Sequence, residues 1–155
     1  MTSCTIRSIT LNDYDLVREV DIETQIQYLG QEKWEQLTSE EKETHLVVWQ
    51  TNFNDFINNG FCFLAETDGK IIGFILAYET VPVYQEIYCR YIGISPIWQG
   101  KGIGVLLFEK LIQIAKENKM KKVWSLINPD NPNSIKAHQK AGFELKDRKE
   151  AEYII

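Results

Sequence analysis

The chain has 155 residues, of which 25% are charged, and its formal net charge at pH 7 is −5. This length suits one domain with a buried core, and the acidic balance argues against a nucleic-acid partner, because phosphate backbones bind surfaces rich in Lys and Arg. No apolar run approaches the ~20 residues that span a bilayer, and residues 1–4 lack the features of a secretion signal, so we expect a cytoplasmic protein without a membrane partner.

The first half of the chain predicts a strand, two helices and a β-hairpin. Thr10 is a candidate cap for the first helix, and Thr38 and Glu41 have the spacing of a capping box at the start of the second. Residues 25–37 are irregular and fit either a loop or a short helix. A tight turn is expected at Asp68-Gly69. The predicted elements are a strand over 4–9, a helix over 11–23, a helix over 38–58, and hairpin strands over 61–66 and 70–79.

The second half predicts a strand–helix–strand unit followed by a further helix and two closing strands. Strands joined by a crossover helix run parallel, whereas hairpin strands are antiparallel, so the sheet is expected to be mixed. The order β-α-α-β-β-β-α-β-α-β-β predicts one α+β domain over residues 1–155. The predicted elements are strands over 85–94 and 121–127, a helix over 101–117, a helix over 134–141, and strands over 143–146 and 152–155.

The three cysteines are far apart in the sequence and each lies in an apolar, strand-like run. Cys4, Cys62 and Cys89 form no CxxC pair, which gives a metal site little support. We therefore expect buried free thiols in a reducing compartment and no metal.

A glycine cluster lies between the strand that ends at Ile94 and the helix that follows. It reads Gln99-Gly100-Lys101-Gly102-Ile103-Gly104. The first N–H groups of a helix have no intrahelical partner, and the helix dipole favours negative charge beside them, so the cluster predicts a site for a phosphorylated ligand. It lacks the Gly-Lys-Ser/Thr of a P-loop and fits a dinucleotide motif poorly. By itself the cluster does not identify the ligand, and a tight turn alone would also explain the glycines.

A second motif lies downstream and reads Asn131-Pro132-Asn133-Ser134-Ile135-Lys136-Ala137-His138-Gln139-Lys140-Ala141-Gly142-Phe143. Together with residues 92–104 it resembles the GNAT superfamily of acyl-CoA N-acyltransferases. The signature of that family is Gln/Arg-x-x-Gly-x-Gly/Ala after a strand that ends in a Pro turn, and its downstream motif is Asn-x-x-Ala/Ser-x-x-x-Tyr/His-x-Lys-x-Gly-Phe. The order of elements fits along the whole chain. The resemblance implies a three-layer α/β/α fold with a mixed, centrally splayed sheet.

The resemblance also implies that acetyl-CoA is the co-substrate and that no metal is needed. The pantetheine arm would pair with the backbone at 92–94, where Gly93 suits close approach, and the N–H of Ile94 would polarise the thioester carbonyl. Residues 99–104 would hold the pyrophosphate, and Asn131 would contact the arm. The implied cofactor-binding residues are Ile92, Gly93, Ile94, Gln99, Gly100, Lys101, Gly102, Ile103, Gly104, Asn131, Asn133, Lys136 and His138.

The implied reaction is direct attack of an amine on the bound thioester in a ternary complex. His138 stands where the family commonly has a Tyr proton donor, so it is a candidate donor and equally a candidate packing residue. Where relatives carry a Glu base, this chain has Tyr88 and Arg90. Glu86 shares their strand face and is favoured as the base over Glu79, which ends the neighbouring strand.

The acceptor side carries no motif. Aromatic residues of the N-terminal helices and the 80–88 region are candidates to line it: Tyr28, Trp34, Trp49, Phe53, Tyr84 and Tyr88. We expect a small-molecule or peptide amine acceptor. Two alternatives stay open, namely a CoA-binding regulatory or inactive module and an acyltransferase that uses a longer acyl-CoA. A homodimer also stays open, because dimers are common in the family.

Overall fold

A computed structural model describes residues 3–155, with Asn59 described by its backbone alone. Residues 1 and 2, on which the expected lack of a secretion signal partly rests, lie outside this range. The described elements are β1 (Thr5–Ser8), α1 (Tyr14–Leu29), α2 (Gln31–Gln36), α3 (Ser39–His45), α4 (Gln50–Asn59), β2 (Phe63–Thr67), β3 (Lys70–Glu79), β4 (Glu86–Ile94), α5 (Ile103–Glu117), β5 (Lys122–Trp124) and α6 (Pro132–Lys140). Short 3-10 turns at Leu11–Asp13 and Pro96–Trp98 precede α1 and follow β4.

The sheet is mixed, as predicted. Its five described strands lie in the order β1-β2-β3-β4-β5. Strands β1 to β4 run antiparallel to one another in succession. Strand β5 runs parallel to β4, because α5 carries the chain across the sheet between them.

Both faces of the sheet are covered by helices. One apolar core joins the sheet to α5 through Leu107, Phe108 and Leu111, and the other joins the opposite face to α1 and α4 through Val17 and Phe53. The predicted α+β, three-layer architecture is therefore confirmed.

Strands β4 and β5 pair over only three residues and then separate. The last pair is Tyr88 with Trp124, after which β4 continues to Ile94, and residues 3–155 place no strand on that edge. The pairing of β4 with β3 skips Arg90, since Ala77 pairs with Cys89 and Leu76 with Tyr91. This bulge lies just beyond the last β4–β5 pair, and bulges of this kind bend a strand and increase its twist. The sheet thus opens into a V between β4 and β5, whose apex we define as the Tyr88–Trp124 pair.

The helix predicted over 38–58 is wrong as one element, because the structure contains two helices with an extended segment between them. The segment is held by Asp21 of α1, a fully buried carboxylate that accepts the backbone N–H groups of Val47 and Val48 at 2.8 and 2.9 Å. Backbone groups bound to a side chain from another element leave the helical pattern. The apolar spacing alone could not show this long-range contact.

Other boundaries also differ from the predictions. Helix α1 extends to Leu29, where Gly30 adopts a positive φ of 90°, so residues 25–37 contain the end of α1 and all of α2. Strand β5 stops at Trp124, although the apolar run suggested 121–127.

The two closing strands predicted over 143–146 and 152–155 are not formed. Phe143 packs against Phe108 and His138, but residues 144–152 are mostly charged and exposed. Residues 144–152 therefore lack an apolar face that could hold them against the sheet, and the apolar side chains of residues 153–155 stay exposed.

The cysteines are unpaired, as predicted. Cys62 and Cys89 are buried and Cys4 is half-buried. Burial raises the pKa of the Cys62 thiol to about 12 and raises that of Cys89 well above its ordinary value.

Candidate active site

A cleft of about 890 Å³ lies at the open end of the V. Its walls are the last turns of α1, the free edge of β4, the first turn of α5 and the first turn of α6. Most of the predicted cofactor residues line it: Ile92, Gly93, Ile94, Gln99, Gly100, Gly102, Ile103, Gly104, Asn131, Asn133 and Lys136. Lys101 and His138 do not line it. The sequence thus brings the two motifs to one cleft, although they are about thirty residues apart in the chain.

The glycine cluster forms a concave backbone surface at the start of α5. Gly100 and Gly102 have positive φ values of 75° and 85°, which L side chains rarely adopt. A Cβ added at either position would meet nothing within 4 Å, so the space beside both residues is open. Gly102 is the N-cap of α5, and its carbonyl accepts the N–H of Leu106 at 3.1 Å. The N–H groups of the first helical turn remain free for an anion.

The free edge of β4 presents backbone donors to the gap. The N–H of Ser95 donates to the carbonyl of Ile72 on β3 at 2.9 Å. Because successive N–H groups of a strand point to opposite edges, the N–H groups of Ile94 and Ile92 point away from β3 and into the gap. The carbonyl of Ile94 supports this orientation, since it accepts the Gln99 side chain at 3.1 Å from the gap side. The predicted donor Ile94 therefore has a neighbour with the same orientation, Ile92, which lies nearer the apex.

Gly93 is required by packing inside the protein. A Cβ on Gly93 would lie 2.6 Å from Cε1 and 2.8 Å from Cζ of Phe74 on β3. Gly93 was predicted to suit close approach of a ligand, but the space that its missing side chain leaves is filled by the Phe74 ring.

Gln99 connects the glycine cluster to α1, which the sequence did not indicate. Its amide Nε2 donates to Oε1 of Gln27 at 2.7 Å, and Nε2 of Gln27 donates back to Oε1 of Gln99 at 3.1 Å. Both side chains line the cleft. The only sign of this contact in the sequence was that Gln27 is a polar residue on a helix with one buried face.

His138 lies behind the wall of the cleft, with 2% of its surface exposed. Its ring packs against Phe108 and Phe143, with centroid distances of 4.3 and 5.0 Å. Nδ1 lies 2.8 Å from the carbonyl oxygen of Ser134, and Nε2 lies 2.6 Å from Oγ of Ser125. Burial lowers the pKa of the imidazole, and the bond to the Ser134 carbonyl opposes this shift in part. A proton on His138 can therefore reach the cleft only through a neighbouring group.

The two candidate bases lie on the paired side of the apex. Glu86 forms an ion pair with Lys122, whose Nζ lies 3.3 Å from Oε2 of Glu86. Oε1 of Glu79 accepts a hydrogen bond from the backbone N–H of Gln85 at 2.7 Å. Six residues separate Glu86 from Ile92, which is about 20 Å along an extended strand. Neither carboxylate lines the cleft, so a base role for Glu86 requires a chain of water molecules and stays a prediction.

Helix α6 and the residues just before it supply polar and charged groups to the cleft. Asn131 is the N-cap of this helix, because its Oδ1 accepts the N–H of Ser134 at 3.0 Å. Lys136 and Lys140 bring positive charge to the wall, and Asp130 brings one negative charge. Lys101 stands outside the lining, with its Nζ 4.5 Å from the centroid of the Trp98 ring.

The aromatic candidates for the acceptor side separate into three groups. Trp34 and Phe53 are core residues, and Tyr88 is buried against Tyr78 and Trp124. Tyr28 is 79% exposed and lines the cleft. Trp49 and Tyr84 are exposed away from it.

Within residues 3–155, no three His, Cys, Asp or Glu side chains are placed to share a metal ion. None of the helices in the same range is both long enough and apolar enough to cross a membrane.

These features define a class of protein: a mixed sheet opened into a V, with a glycine-rich helix start beside the unpaired edge of β4. The sequence profile of the Acetyltransferase (GNAT) family matches residues 26–143. The chain belongs to this family.

Two solved structures illustrate the shared fold. The PaiA N-acetyltransferase of Thermoplasma acidophilum in complex with coenzyme A superposes with a TM-score of 0.77 at 19% identity, over 95% of this chain and 93% of that one. The aminoglycoside N-acetyltransferase AAC(6')-Iy in complex with CoA superposes with a TM-score of 0.67 at 18% identity, over 99% and 96% of the two chains.

Sequence similarity to curated relatives is partial. The L-2,4-diaminobutyric acid acetyltransferase of Nocardia farcinica is 30% identical over 76 residues, which cover 49% of this chain and 39% of that protein. The alignments with the curated relatives span 39 to 46% of those proteins' own lengths.

Proposed function

We propose that the protein transfers an acetyl group from acetyl-CoA to a primary amine, by direct attack in a ternary complex. The observation that carries the proposal is the cleft itself. One wall is the open glycine cluster at the start of α5, and another is the free edge of β4 with the N–H groups of Ile92 and Ile94 directed into the gap. An anion site and a strand edge in one cleft fit a ligand with a diphosphate and an extended amide-containing arm.

The orientation of the cofactor follows from the positions of these two surfaces. The pyrophosphate would lie at Gly100 to Gly104, with Lys136 and Lys140 adding positive charge. The arm would then run along β4 from Ile94 toward the apex, and the thioester would lie at its deep end. We keep the N–H of Ile94 as the predicted carbonyl donor and name the N–H of Ile92 as the second candidate, because it lies nearer the apex.

Direct attack needs no nucleophile from the protein, because the thioester is already activated. Cys62 and Cys89 are poor nucleophiles, since burial raises both thiol pKa values and only the thiolate reacts. Neither residue lines the cleft. Rate enhancement would come from positioning and from the backbone donors to the oxyanion.

The acceptor is proposed to be an amine, either a small molecule or a peptide. The names of two similar proteins support this class. One is an aminoglycoside N-acetyltransferase, and the other is an L-2,4-diaminobutyric acid acetyltransferase. In the same proposed mechanism, Glu86 would act through water on the ammonium form of the acceptor before attack, and His138 would transfer a proton during the reaction.

The test combines calorimetry with an assay of thiol release. CoA and acetyl-CoA are titrated into the protein, and a thiol-reactive chromogen then follows CoA release across a panel of primary amines. The half-buried Cys4 would give a background signal, so the assay uses Cys4→Ser alongside the wild type. Mass spectrometry should show a gain of one acetyl group on an amine.

Three results would contradict parts of the proposal. Absence of CoA binding would contradict the assignment of the cleft. Binding without turnover on any amine would favour a CoA-binding module, for which the buried His138 in place of a Tyr is the supporting observation. Faster turnover with longer acyl-CoA donors would show that a longer acyl-CoA, and not acetyl-CoA, is the preferred donor.

A further inference from the structure

The side chain of Ser125 is the one polar group that contacts Nε2 of His138 among the described residues. The Ser125 Oγ lies 2.6 Å from Nε2, and Nδ1 on the other side of the ring lies 2.8 Å from the Ser134 carbonyl oxygen. The Ser134 hydroxyl lies farther from Nδ1, at 3.4 Å. The family motif contains His138 but gives no role to Ser125, which lies thirteen residues earlier in the chain.

These contacts fix the tautomer of the neutral imidazole. A carbonyl oxygen can only accept a hydrogen bond, so Nδ1 carries the proton and donates it to Ser134. Nε2 is then a lone-pair acceptor, and the Ser125 hydroxyl donates its hydrogen to it. The series Ser Oγ–H, His Nε2, His Nδ1–H and carbonyl oxygen is the arrangement that makes a hydroxyl ready to exchange a proton.

Ser125 lies at the apex of the V, beside the deep end of the cleft, although it is not one of the residues that line the cleft. It follows Trp124, the last residue of β5 that pairs with β4, so its backbone is at the apex of the V. Three residues later the chain reaches Asn128, which lines the cleft. Phe108 and Ser134, which contact the His138 ring, line the cleft as well. The half-buried Ser125 hydroxyl, in contact with the buried imidazole, is therefore the polar group that could link His138 to the deep end of the gap.

We propose that Ser125 and His138 form a proton relay that accepts the proton of the attacking amine and returns it to the departing CoA sulfur. This inference rests on the proposed acyl transfer. Ser125 is the residue that touches the reacting atoms, and His138 acts through it.

The relay balances over the reaction. The amine nitrogen forms a bond to the thioester carbon, and a proton on that nitrogen passes to Oγ of Ser125 while the hydroxyl hydrogen passes to Nε2 of His138. When the C–S bond breaks, the electron pair goes to sulfur. The imidazolium then returns its proton through Ser125 to the thiolate. The products are an amide and CoA thiol, and both side chains regain their starting state.

The surroundings of the ring suit a transient carrier of the proton. Ser125, Ser134 of α6, Phe108 of α5 and Phe143 contact it, and none of these residues is charged or titratable in the neutral pH range. Because burial lowers the pKa of His138 below its ordinary value, the resting ring is mostly neutral at pH 7 and its protonated form is more acidic than a free imidazolium. A CoA thiol, with a pKa of about 8.5 for a comparable thiol, is a favourable acceptor of that proton.

The test uses Ser125→Ala, Ser125→Thr, His138→Gln and the double variant Ser125→Ala with His138→Gln. We expect Ser125→Ala to lower kcat about 100-fold or more, which is the range of general acid–base catalysis, with the Kd for CoA unchanged. Ser125→Thr retains the hydroxyl and should recover most of the rate. The double variant should lose no more than the larger single loss, because the two groups act as one unit. Ser8→Ala on β1 is the matched control and should behave as wild type.

Nitrogen NMR of the His138 ring provides a measurement that requires no amine. The relay expects a protonated Nδ1 and an unprotonated Nε2 at pH 7. The opposite tautomer, a kcat for Ser125→Ala within threefold of wild type, additive losses, or a rate loss matched by weaker CoA binding would each overturn the relay. Wild-type protein that binds CoA but acetylates no amine would instead contradict the proposed function, so the two failures are distinguishable.

Discussion

Replacing Gly102 with Glu tests whether the glycine cluster holds the pyrophosphate. Gly102 caps α5 with a φ of 85°, and an added Cβ meets nothing within 4 Å, so the new side chain enters open space beside the cleft lining. The carboxylate would then occupy the region where the first N–H groups of α5 are free. The substitution therefore adds negative charge at the expected diphosphate site without a steric clash inside the protein.

The size of the effect has two parts. The left-handed backbone costs a non-glycine residue about 1–2 kcal/mol of folding free energy, which lowers stability but does not by itself alter binding to the folded state. Repulsion between unit charges about 5 Å apart, at an effective dielectric constant of about 20, is about 3 kcal/mol. Since about 1.4 kcal/mol corresponds to a tenfold change, the Kd for CoA should rise by at least about 100-fold.

Calorimetric titration with CoA measures the effect, and Gly69→Glu is the matched control. Gly69 lies in the β2–β3 hairpin with a φ of 73°, and it too has nothing within 4 Å of an added Cβ. It carries the same strain and the same charge change, but it does not line the cleft. We expect Gly69→Glu to bind CoA as wild type does. Undiminished CoA affinity in folded Gly102→Glu would refute the placement of the pyrophosphate.

Two further substitutions test the packing. Gly93→Ala places a Cβ 2.6 Å from Phe74, so the ligand-free protein should lose about 1–3 kcal/mol of unfolding free energy in urea, and adding Phe74→Leu should restore part of it. Asp13→Asn removes the carboxylate that the Arg7 guanidinium and Thr10 hold at a pKa of about 2, below its ordinary 3.8. A lowered folded-state pKa stabilises the protein above pH 4, and this contribution is lost as pH falls from about 4 to 2. The free energy of unfolding of the wild type should therefore exceed that of Asp13→Asn by up to about 2 kcal/mol at pH 7, and by less where solvent screens the half-exposed Arg7. This difference should shrink in acid. A difference that does not change with pH would contradict this reasoning.

The cofactor side of the molecule could be predicted because its local signals agree with its fold. The Asp68-Gly69 turn, the β-α-β order and the glycines at the start of α5 each specify backbone geometry within a few residues. A phosphate and an extended arm are bound mainly by backbone N–H groups. Such sites require residues with special φ values, and those residues can be recognised in a sequence.

The remaining features depend on contacts between distant residues. The break between α3 and α4 is set by Asp21, which is 26 residues from Val47 in the chain. Two closing strands were predicted over 143–146 and 152–155, and the structure forms neither, because strand pairing depends on contacts with the sheet that a local pattern does not show. In the site, His138 was recognised by its motif position, but its burial and its contact with Ser125 arise only from the packing of α6 on α5.

The Gln27–Gln99 pair joins the end of α1 to the glycine cluster. Gln99 holds the carbonyl of Ile94, which keeps the last gap-facing residue of β4 oriented, and it is itself held by the end of α1. Gln27 and the exposed Tyr28 line the same cleft, so the end of α1 forms a wall beside the proposed pyrophosphate site. A displacement of the end of α1 would therefore act, through Gln99, on the backbone of Ile94. The glycine cluster and the edge of β4 are thus specified by backbone geometry, whereas their contact with α1 is specified by one pair of side-chain amides.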